Sequence, residues 1–245
     1  MQKVLRFGVL LVCFVFMVSC CFVKVPPINN DSLVDIPLGP NVPIDKGAVL
    51  FLLGKDMELD DDMSGSAIII ESNEKESWGI TAAHVCYPEV MDPWILRMDS
   101  WMMIALDVNG DVRPIKVLAL DNKTDVCVFK MPYASAGVVP LAKRMPLIGE
   151  RVYLGAFPLG VYEPGHVPFF EGFYAGVLNG HDSFTIPVAP GSSGGGIVNN
   201  RGELIGVVSM AIQGFENITL TANIENIQTL LDVAKKNPDR LTIVR

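Results

Sequence analysis

The sequence predicts an all-β protein for most of its length, and two observations support this prediction. Short apolar runs recur at even spacing between residues 48 and 224 and are broken by turn residues such as Gly, Pro, Asn, Asp and Ser. Runs of this length and spacing are typical of the strands of an antiparallel barrel or sandwich. Two short turns, Asn109-Gly110 and Asn200-Arg201-Gly202, fit hairpins between neighbouring runs. We therefore expect antiparallel pairing.

The individual elements follow from the same pattern. The predicted strands are, in chain order, AVLFLLG, GSAIIIES, SWGITAA, WILRM, WMMIALDV, VRPIKVLAL, DVCVFKM, RVYLGAF, FFEGFYAGVL, SFTIPVA, GGIVNN, ELIGVVSMAI and ITLTANI. Residues 225–236 have a helical period instead, with one apolar stripe formed by Ile227, Leu230, Leu231 and Ala234. We expect this segment to pack as a closing helix.

The first residues indicate export. Lys3 and Arg6 precede an apolar run of about a dozen residues and a small-residue exit, which is the pattern of a signal peptide over residues 1–20. The run is short against the roughly 20 residues of a membrane-spanning helix, which is the alternative. The tetrapeptide MVSC resembles a lipoprotein cleavage box with Met in place of Leu, so lipidation of Cys20, and with it membrane attachment, competes with plain cleavage. Residues 21–46 are rich in Pro and Asn and predict an extended linker.

Charge and composition exclude several classes of partner. The formal net charge is −8 and the sequence pI is near 4.9, so nucleic acid is not an expected partner. The chain has no Cys-x-x-Cys spacing, and its three histidines are far apart in the sequence. We therefore expect no metal site and no cofactor.

The stretch PGSSGGG, residues 190–196, is either a flexible turn or a loop that holds a nucleophilic serine. A serine hydroxyl needs a neighbouring base, and a carboxylate that orients that base. His84 follows the predicted strand SWGITAA, and Asp125 begins the run DVCVFKM. Asp121 is a rival carboxylate four positions earlier. The order His, Asp, Ser is one of the known orders for a catalytic triad.

Three motifs carry a resemblance to a known family. ITAAH, TDVCVFK and PGSSGG resemble, in this order, the segments around the catalytic His, Asp and Ser of the chymotrypsin-like serine proteases. The stretch PGSSGGGIVNNRGELIGVVS is most similar to the HtrA/Deg-like or glutamyl-endopeptidase-like branch. The resemblance covers about residues 47–236. It implies two packed six-stranded antiparallel β-barrels, at about 47–143 and 144–224, with the active site between them. A C-terminal helix follows, and we expect no PDZ domain.

The resemblance also implies roles for individual residues. It assigns His84 as general base, Asp125 as the orienting carboxylate and Ser193 as nucleophile. The backbone N–H groups of Gly191 and Ser193 would form the oxyanion hole. The implied activity is hydrolysis of peptide bonds in protein or peptide substrates through an acyl-enzyme, in an exported protein that is periplasmic, envelope-attached or secreted.

Further positions follow from the same resemblance. Ser209 would support the buried carboxylate, and Met210 and Ala211 would line the primary specificity pocket. Because neither is charged, we expect an uncharged, small or medium apolar residue before the scissile bond. Ser192 stands where trypsin-type zymogens carry an aspartate, so activation by a freed N-terminus is not expected.

Two questions stay open at this point. Cys86 and Cys127 each lie two residues after a predicted triad member, and we expect buried free thiols, with a disulfide as the alternative. The Gly-x-Ser-x-Gly pattern also fits α/β-hydrolases, but their histidine follows the serine, and no histidine follows Ser193. The remaining alternative to an enzyme is a catalytically silent protease fold that serves as a binding or scaffold module of the cell envelope.

Overall fold

The computed structural model describes residues 42–56, 61–86, 101–212 and 214–244. The predicted signal peptide, Cys20, nearly all of the predicted linker and the predicted strand WILRM lie outside these ranges. The described residues cluster as one compact unit.

The described residues form mainly strands. The fourteen strands in the described ranges are β1 (Val49–Asp56), β2 (Asp61–Ser72), β3 (Ser77–Thr81), β4 (Trp101–Leu106), β5 (Val112–Pro114), β6 (Lys116–Asp121), β7 (Val126–Met131), β8 (Arg151–Gly155), β9 (Phe169–Leu178), β10 (His181–Phe184), β11 (Gly196–Val198), β12 (Leu204–Ile212), β13 (Phe215–Asn223) and β14 (Thr242–Val244). The same ranges contain two α-helices, α1 (Ala83–Cys86) and α2 (Ile224–Lys236). The turns Lys46–Ala48 and Pro158–Gly160 are 3-10 helical.

The second half of the domain is a closed barrel with strand order β10-β13-β12-β11-β8-β9. Its strands pair antiparallel throughout the described residues, and β11 and β12 form the hairpin predicted at residues 200–202. Its interior is filled by apolar side chains that include Phe184, Ile186 and Leu154. The predicted six-stranded antiparallel barrel is confirmed for this half.

The first half is a half-barrel sheet with strand order β14-β6-β7-β3-β2-β1-β4-β5. The hairpin predicted at Asn109-Gly110 joins β4 and β5. The sheet has eight strands rather than six, because β14 adds to β6 in parallel, with Thr242 opposite Ala119. β5 is a separate strand at the other edge. The chymotrypsin-like all-β class is confirmed.

Helix α2 closes the first half. Asn223 caps it by accepting a hydrogen bond from Asn226 N–H at 2.9 Å. The buried side is the predicted stripe of Ile227, Leu230, Leu231 and Ala234, which joins the core cluster of the half-barrel. The helix therefore packs against β6 and β7, the strands on either side of Asp125.

Candidate active site

His84 and Asp125 form a hydrogen-bonded pair. His84 lies on the one-turn helix α1 directly after β3, and Asp125 ends the turn between β6 and β7. The ring Nδ1 is 2.9 Å from Asp125 Oδ2 and 3.0 Å from Oδ1. The backbone N–H of His84 also donates to Oδ1 at 3.0 Å. Since a carboxylate only accepts hydrogen bonds, Nδ1 is assigned as the protonated nitrogen, which leaves Nε2 as an acceptor.

Ser209 completes the surroundings of this carboxylate. Ser209 lies in β12 just before the exposed end of the strand, and its hydroxyl donates to Asp125 Oδ2 at 2.5 Å. The Asp125 side chain is 18% exposed, whereas the His84 side chain is 41% exposed. The carboxylate is therefore shielded and held by three donor groups, while the imidazole is open to the solvent.

The rival carboxylate has a different role. Asp121 accepts hydrogen bonds from the backbone N–H groups of Lys123 and Thr124 and from the Thr124 hydroxyl. These contacts fix the turn that leads to Asp125. Asp121 makes no hydrogen bond to His84 within the part of the chain that the structure describes.

The loop of Ser193 lies close to the helix that carries His84, with Gly65 between the two. A Cβ added to Gly65 would lie 2.6 Å from Val85 Cγ1 and 3.3 Å from the Ser193 carbonyl oxygen. The residue after His84 and the loop of Ser193 therefore meet across this one glycine. Among the described residues, no hydrogen bond joins the Ser193 hydroxyl to His84.

The loop after Ser193 is paired with the strand that carries Ser209. Gly194 N–H donates to Val208 O at 2.8 Å, and Val208 N–H donates to Gly195 O at 2.9 Å. Ser209 follows directly and reaches Asp125. The predicted nucleophile, base and carboxylate thus belong to one connected set of contacts that involves both halves of the domain.

The N–H of Gly191 has no acceptor within the described residues, and its direction is fixed. The carbonyl of Pro190 accepts a hydrogen bond from Leu159 N–H at 2.6 Å. Because a trans peptide points its C=O and N–H to opposite sides, this bond turns the Gly191 N–H away from Leu159. Gly191 has φ +91°, and a Cβ there would lie 2.7 Å from the Phe157 carbonyl oxygen, so glycine is required.

The N–H of Ser193 is fixed in the same way. The Ser192 carbonyl accepts from Gly195 N–H at 2.9 Å, which turns the Ser193 N–H to the opposite side, where no described residue accepts it. Two neighbouring unpaired N–H groups in a held loop can bind an oxygen that carries negative charge.

Ser192 stabilises the loop of Ser193 by two hydrogen bonds to Ala189. It is buried, its N–H donates to Ala189 O at 2.9 Å, and its hydroxyl accepts from Ala189 N–H at 3.2 Å. This reciprocal pair closes the turn with neutral groups, at the position where trypsin-type zymogens need a charged partner.

Met210 and Ala211 follow Ser209 on β12 and are exposed, Met210 to 43%. Met210 pairs with Leu220 and Ala211 with Thr219 on β13. They therefore extend the strand that reaches the carboxylate and present an uncharged surface next to it.

The expectation of free thiols at Cys86 and Cys127 is wrong. The two residues form a disulfide with a Cα–Cα distance of 6.4 Å, and both are fully buried. One half-cystine lies two residues after His84 and the other two residues after Asp125. The cross-link therefore joins α1 to β7 beside the His84–Asp125 hydrogen bonds.

The sequence reasoning missed two groups that touch the loop of Ser193. One is Ser66, a fully buried serine on β2, and the other is the turn Pro158–Gly160. The signal for Ser66 was a polar residue in an otherwise apolar run, GSAIII.

In the described part of the chain, no helix is long and apolar enough to cross a membrane.

The fold and the site together define a chymotrypsin-like protein with a His–Asp pair beside a glycine-rich serine loop. The family described as trypsin-like peptidase domain matches residues 65–207, which is more than half of the chain. The chain belongs to this family.

Several known proteins are similar to the chain. The HtrA-like serine protease of Staphylococcus aureus strain USA300 is 31% identical over 137 residues, and that of strain RF122 is 31% identical over 135 residues. Each match covers 47% of this chain but only 18% of the relative. The crystal structure of the serine endoprotease from Yersinia pestis superposes with a TM-score of 0.64 at 20% identity, over 83% of this chain and 69% of that one. The last match shows a shared fold.

Proposed function

We propose that the chain is a serine endopeptidase that cleaves protein or peptide substrates through an acyl-enzyme. The observation that carries this proposal is the hydrogen-bonded His84–Asp125 pair next to a loop in which the N–H groups on both sides of Ser192 are unpaired. Family membership and the names of the staphylococcal relatives support the same activity.

In the first step, the Ser193 Oγ attacks the carbonyl carbon of the scissile peptide bond while His84 Nε2 removes its proton. A C–O bond forms, and the carbonyl π electrons move to the oxygen. The N–H groups of Gly191 and Ser193 then donate to this oxyanion. The loss of one such donor typically costs about 2.7–4 kcal/mol of transition-state stabilisation.

In the second step, protonated His84 gives its proton to the leaving amine, the C–N bond breaks and the acyl-enzyme remains. Asp125 stabilises the imidazolium and keeps the ring in the required orientation. Water, deprotonated by His84, then attacks the ester carbon. The C–O bond to Ser193 breaks as His84 returns the proton to Oγ, and the product leaves with a new carboxyl terminus. The Ser209 hydroxyl acts through Asp125 by holding the carboxylate in place.

We assign the primary specificity pocket to the side of Ser209, Met210 and Ala211. Because these residues carry no charge, the preferred residue before the scissile bond is uncharged, apolar and small or medium in size. A library of peptides that differ only at this position tests the assignment, and a preference for Lys, Arg, Asp or Glu would overturn it.

We place the protein outside the cytoplasm, after removal of residues 1–20. The Cys86–Cys127 disulfide supports this location, because stable disulfides belong to oxidising compartments. Intact mass of the mature protein distinguishes lipidated Cys20 from plain cleavage.

Covalent labelling tests the proposed activity most directly. The chain is treated with a fluorophosphonate and measured by intact mass, with Ser193→Ala and the adjacent Ser192→Ala as matched variants. We expect one adduct that is lost only in Ser193→Ala. No adduct on the unsubstituted chain would overturn the proposal and favour a silent binding or scaffold module.

A further inference from the structure

Ser66 is a fully buried serine on β2 whose hydroxyl is used twice. It donates to the Gly191 carbonyl at 2.8 Å and accepts from the Phe157 N–H at 2.8 Å. Neither contact lies within β2 or its ladder. The hydroxyl instead joins two segments of the other half of the domain.

The backbone of Ser66 contacts the same loop. Its N–H donates to the Ser193 carbonyl at 2.8 Å, and its carbonyl accepts from the Thr81 hydroxyl at 2.7 Å. Gly191 and Ser193 are the residues whose unpaired N–H groups form the proposed oxyanion hole. Ser66 therefore holds the carbonyls of both.

Phe157 connects this arrangement to the turn Pro158–Gly160. Leu159 in that turn donates to the Pro190 carbonyl and so fixes the direction of the Gly191 N–H. Leu159 itself has φ +56°, a conformation that a side chain of this kind adopts only when its surroundings hold it. The Ser66 hydroxyl links this turn to the loop, through Phe157 on one side and Gly191 on the other.

We propose that Ser66 is a positioning residue for the oxyanion hole. Its hydroxyl ties the 157–160 turn to the nucleophile loop, so that the N–H groups of Gly191 and Ser193 point at the substrate oxygen before it becomes charged. This inference rests on the proposed peptidase function and adds a residue outside the triad to it.

Removal of the hydroxyl has a distinctive kinetic consequence. In Ser66→Ala, the Gly191 carbonyl and the Phe157 N–H lose their partner in a buried place, so the loop and the turn relax. Misplacement of oxyanion donors weakens transition-state binding more than substrate binding. We expect kcat to fall about 10- to 100-fold while KM changes less than about 3-fold.

A matched variant separates positioning from stability. Ser183→Ala removes a buried hydroxyl that donates to the Gly176 carbonyl at 2.8 Å, the same kind of bond, in the barrel and away from the loop. Ser66→Cys fills the space of the serine with a weak donor and guards against a loss caused only by an empty cavity. Kinetics of each full-length variant are referred to its folded fraction, measured by circular dichroism.

The substrates are a peptide ester and its thionoester, in which sulfur replaces the carbonyl oxygen. Sulfur is larger and accepts hydrogen bonds weakly, so an intact oxyanion hole favours the oxygen ester. We expect Ser66→Ala to lose most of this preference, Ser66→Cys to lose part of it, and Ser183→Ala to keep the preference and kcat of the unsubstituted chain.

The outcomes distinguish the two proposals. If the unsubstituted chain hydrolyses the ester but Ser66→Ala keeps its kcat and its oxygen preference, Ser66 has no positioning role and the peptidase function stands. Equal losses in Ser66→Ala and Ser183→Ala would also overturn the role, because stability alone would explain them. If the unsubstituted chain hydrolyses nothing and is not labelled by the fluorophosphonate, the function and this inference fail together.

Discussion

Asp125 has both an unusual backbone conformation and a carboxylate that is fixed by hydrogen bonds. Its backbone has φ +56°, in the left-handed region, and its carboxylate accepts from His84 and Ser209. Aspartate and asparagine adopt this conformation more readily than most residues. The sequence motif predicted the carboxylate, but it did not predict the backbone conformation that turns the carboxylate toward His84.

Asp125→Asn should therefore separate the fold from the chemistry. Asparagine tolerates the left-handed backbone, so we expect little loss of stability. The neutral amide cannot stabilise the imidazolium, and kcat should fall about 10³- to 10⁴-fold. Steady-state hydrolysis and urea unfolding of the same sample measure both effects. Asp121→Asn, in the same turn but without a hydrogen bond to His84, is the control, and an equal loss of kcat there would contradict the assignment.

Gly194 shows how closely the loop of Ser193 approaches β2 and β3. It has φ +83°, and an added Cβ would overlap the Thr81 hydroxyl oxygen and the Ser66 carbonyl oxygen. Gly165 has the similar φ of +84°, but a Cβ there would meet no atom within 4 Å. The two glycines differ mainly in the space around them.

We expect Gly165→Ala to cost about 1–2 kcal/mol of unfolding free energy, which is the strain of the backbone alone. Gly194→Ala should cost at least about 2 kcal/mol more, because the overlap forces the loop away from β2. Urea unfolding of both variants gives the difference directly. Equal costs would mean that the loop yields easily and that its close approach to Ser66 is not stabilising.

Buried serines mark the limit of residue-scale prediction. His84, Asp125 and Ser193 stand in motifs whose order points to one chemistry. Ser66 lies in an otherwise apolar strand, and its role can be inferred only from the residues that it contacts in the fold. The bonding state of Cys86 and Cys127 likewise depends on a distance between residues 41 positions apart.

At the scale of elements, β10 carries a buried carboxylate. Asp182 is 5% exposed and accepts from the Tyr174 hydroxyl at 2.8 Å. Burial raises the pKa of Asp182, although the Tyr174 hydrogen bond opposes this shift, and nearby Glu225 adds to it. Burial and the hydrogen bond to Asp182 raise the pKa of Tyr174 to about 12. Burial therefore disfavours the ionised form of Asp182 in the folded barrel.

Asp182→Asn should stabilise the barrel at neutral pH, because the amide oxygen still accepts from Tyr174 without a buried charge. A carboxyl group whose pKa is raised by folding stabilises the fold fully at low pH, and this contribution is lost as the pH rises through the raised pKa. The advantage of Asp182→Asn should therefore grow with pH over this window and vanish below about pH 4. Urea unfolding at several pH values measures it.

The exposed carboxylate of Glu74 provides the control. Glu74→Gln makes the same change from carboxylate to amide at an exposed position, and its unfolding is measured at the same pH values. An Asp182→Asn difference that falls as the pH rises would contradict the assignment of a raised pKa.

Local elements were predictable from the sequence where their pattern is local. The apolar stripe of α2 has a 3.6-residue period, and the hairpins contain Gly with Asn, so both could be read without the fold. β14 has only three residues and pairs with β6, more than 100 positions earlier. Neither its length nor a local turn could have predicted that pairing.

At the scale of the whole molecule, the Cys86–Cys127 disulfide ties together two segments 41 positions apart. A cross-link of this span stabilises a protein by about 4 kcal/mol in the chain-entropy account. We expect the free energy of unfolding of the Cys86→Ala/Cys127→Ala variant, measured by urea unfolding, to be lower by about 4 kcal/mol. Reductant should have little further effect on that variant but should destabilise the unsubstituted chain. A loss below about 1 kcal/mol would show that the half-barrel holds these segments without the bond.

The two-part architecture followed from the family resemblance rather than from composition. Even spacing of short strands is compatible with a sandwich as well as a barrel, and only the ordered motifs pointed to two halves with a site between them. The edges of the half-barrel, β14 and β5, depend on long-range pairing that a single sequence does not express.

The contacts of Asp125 also have a consequence for the chain while it is being synthesised. Its hydroxyl partner, Ser209, lies 84 positions later, and the loop of Ser193 is held by Ser66, which precedes it by more than 120 positions. A growing polypeptide that stops short of Ser209 lacks the last contact of its own carboxylate. We therefore expect a chain that ends before Ser209 to have no peptidase activity, because its Asp125 carboxylate lacks this hydroxyl donor.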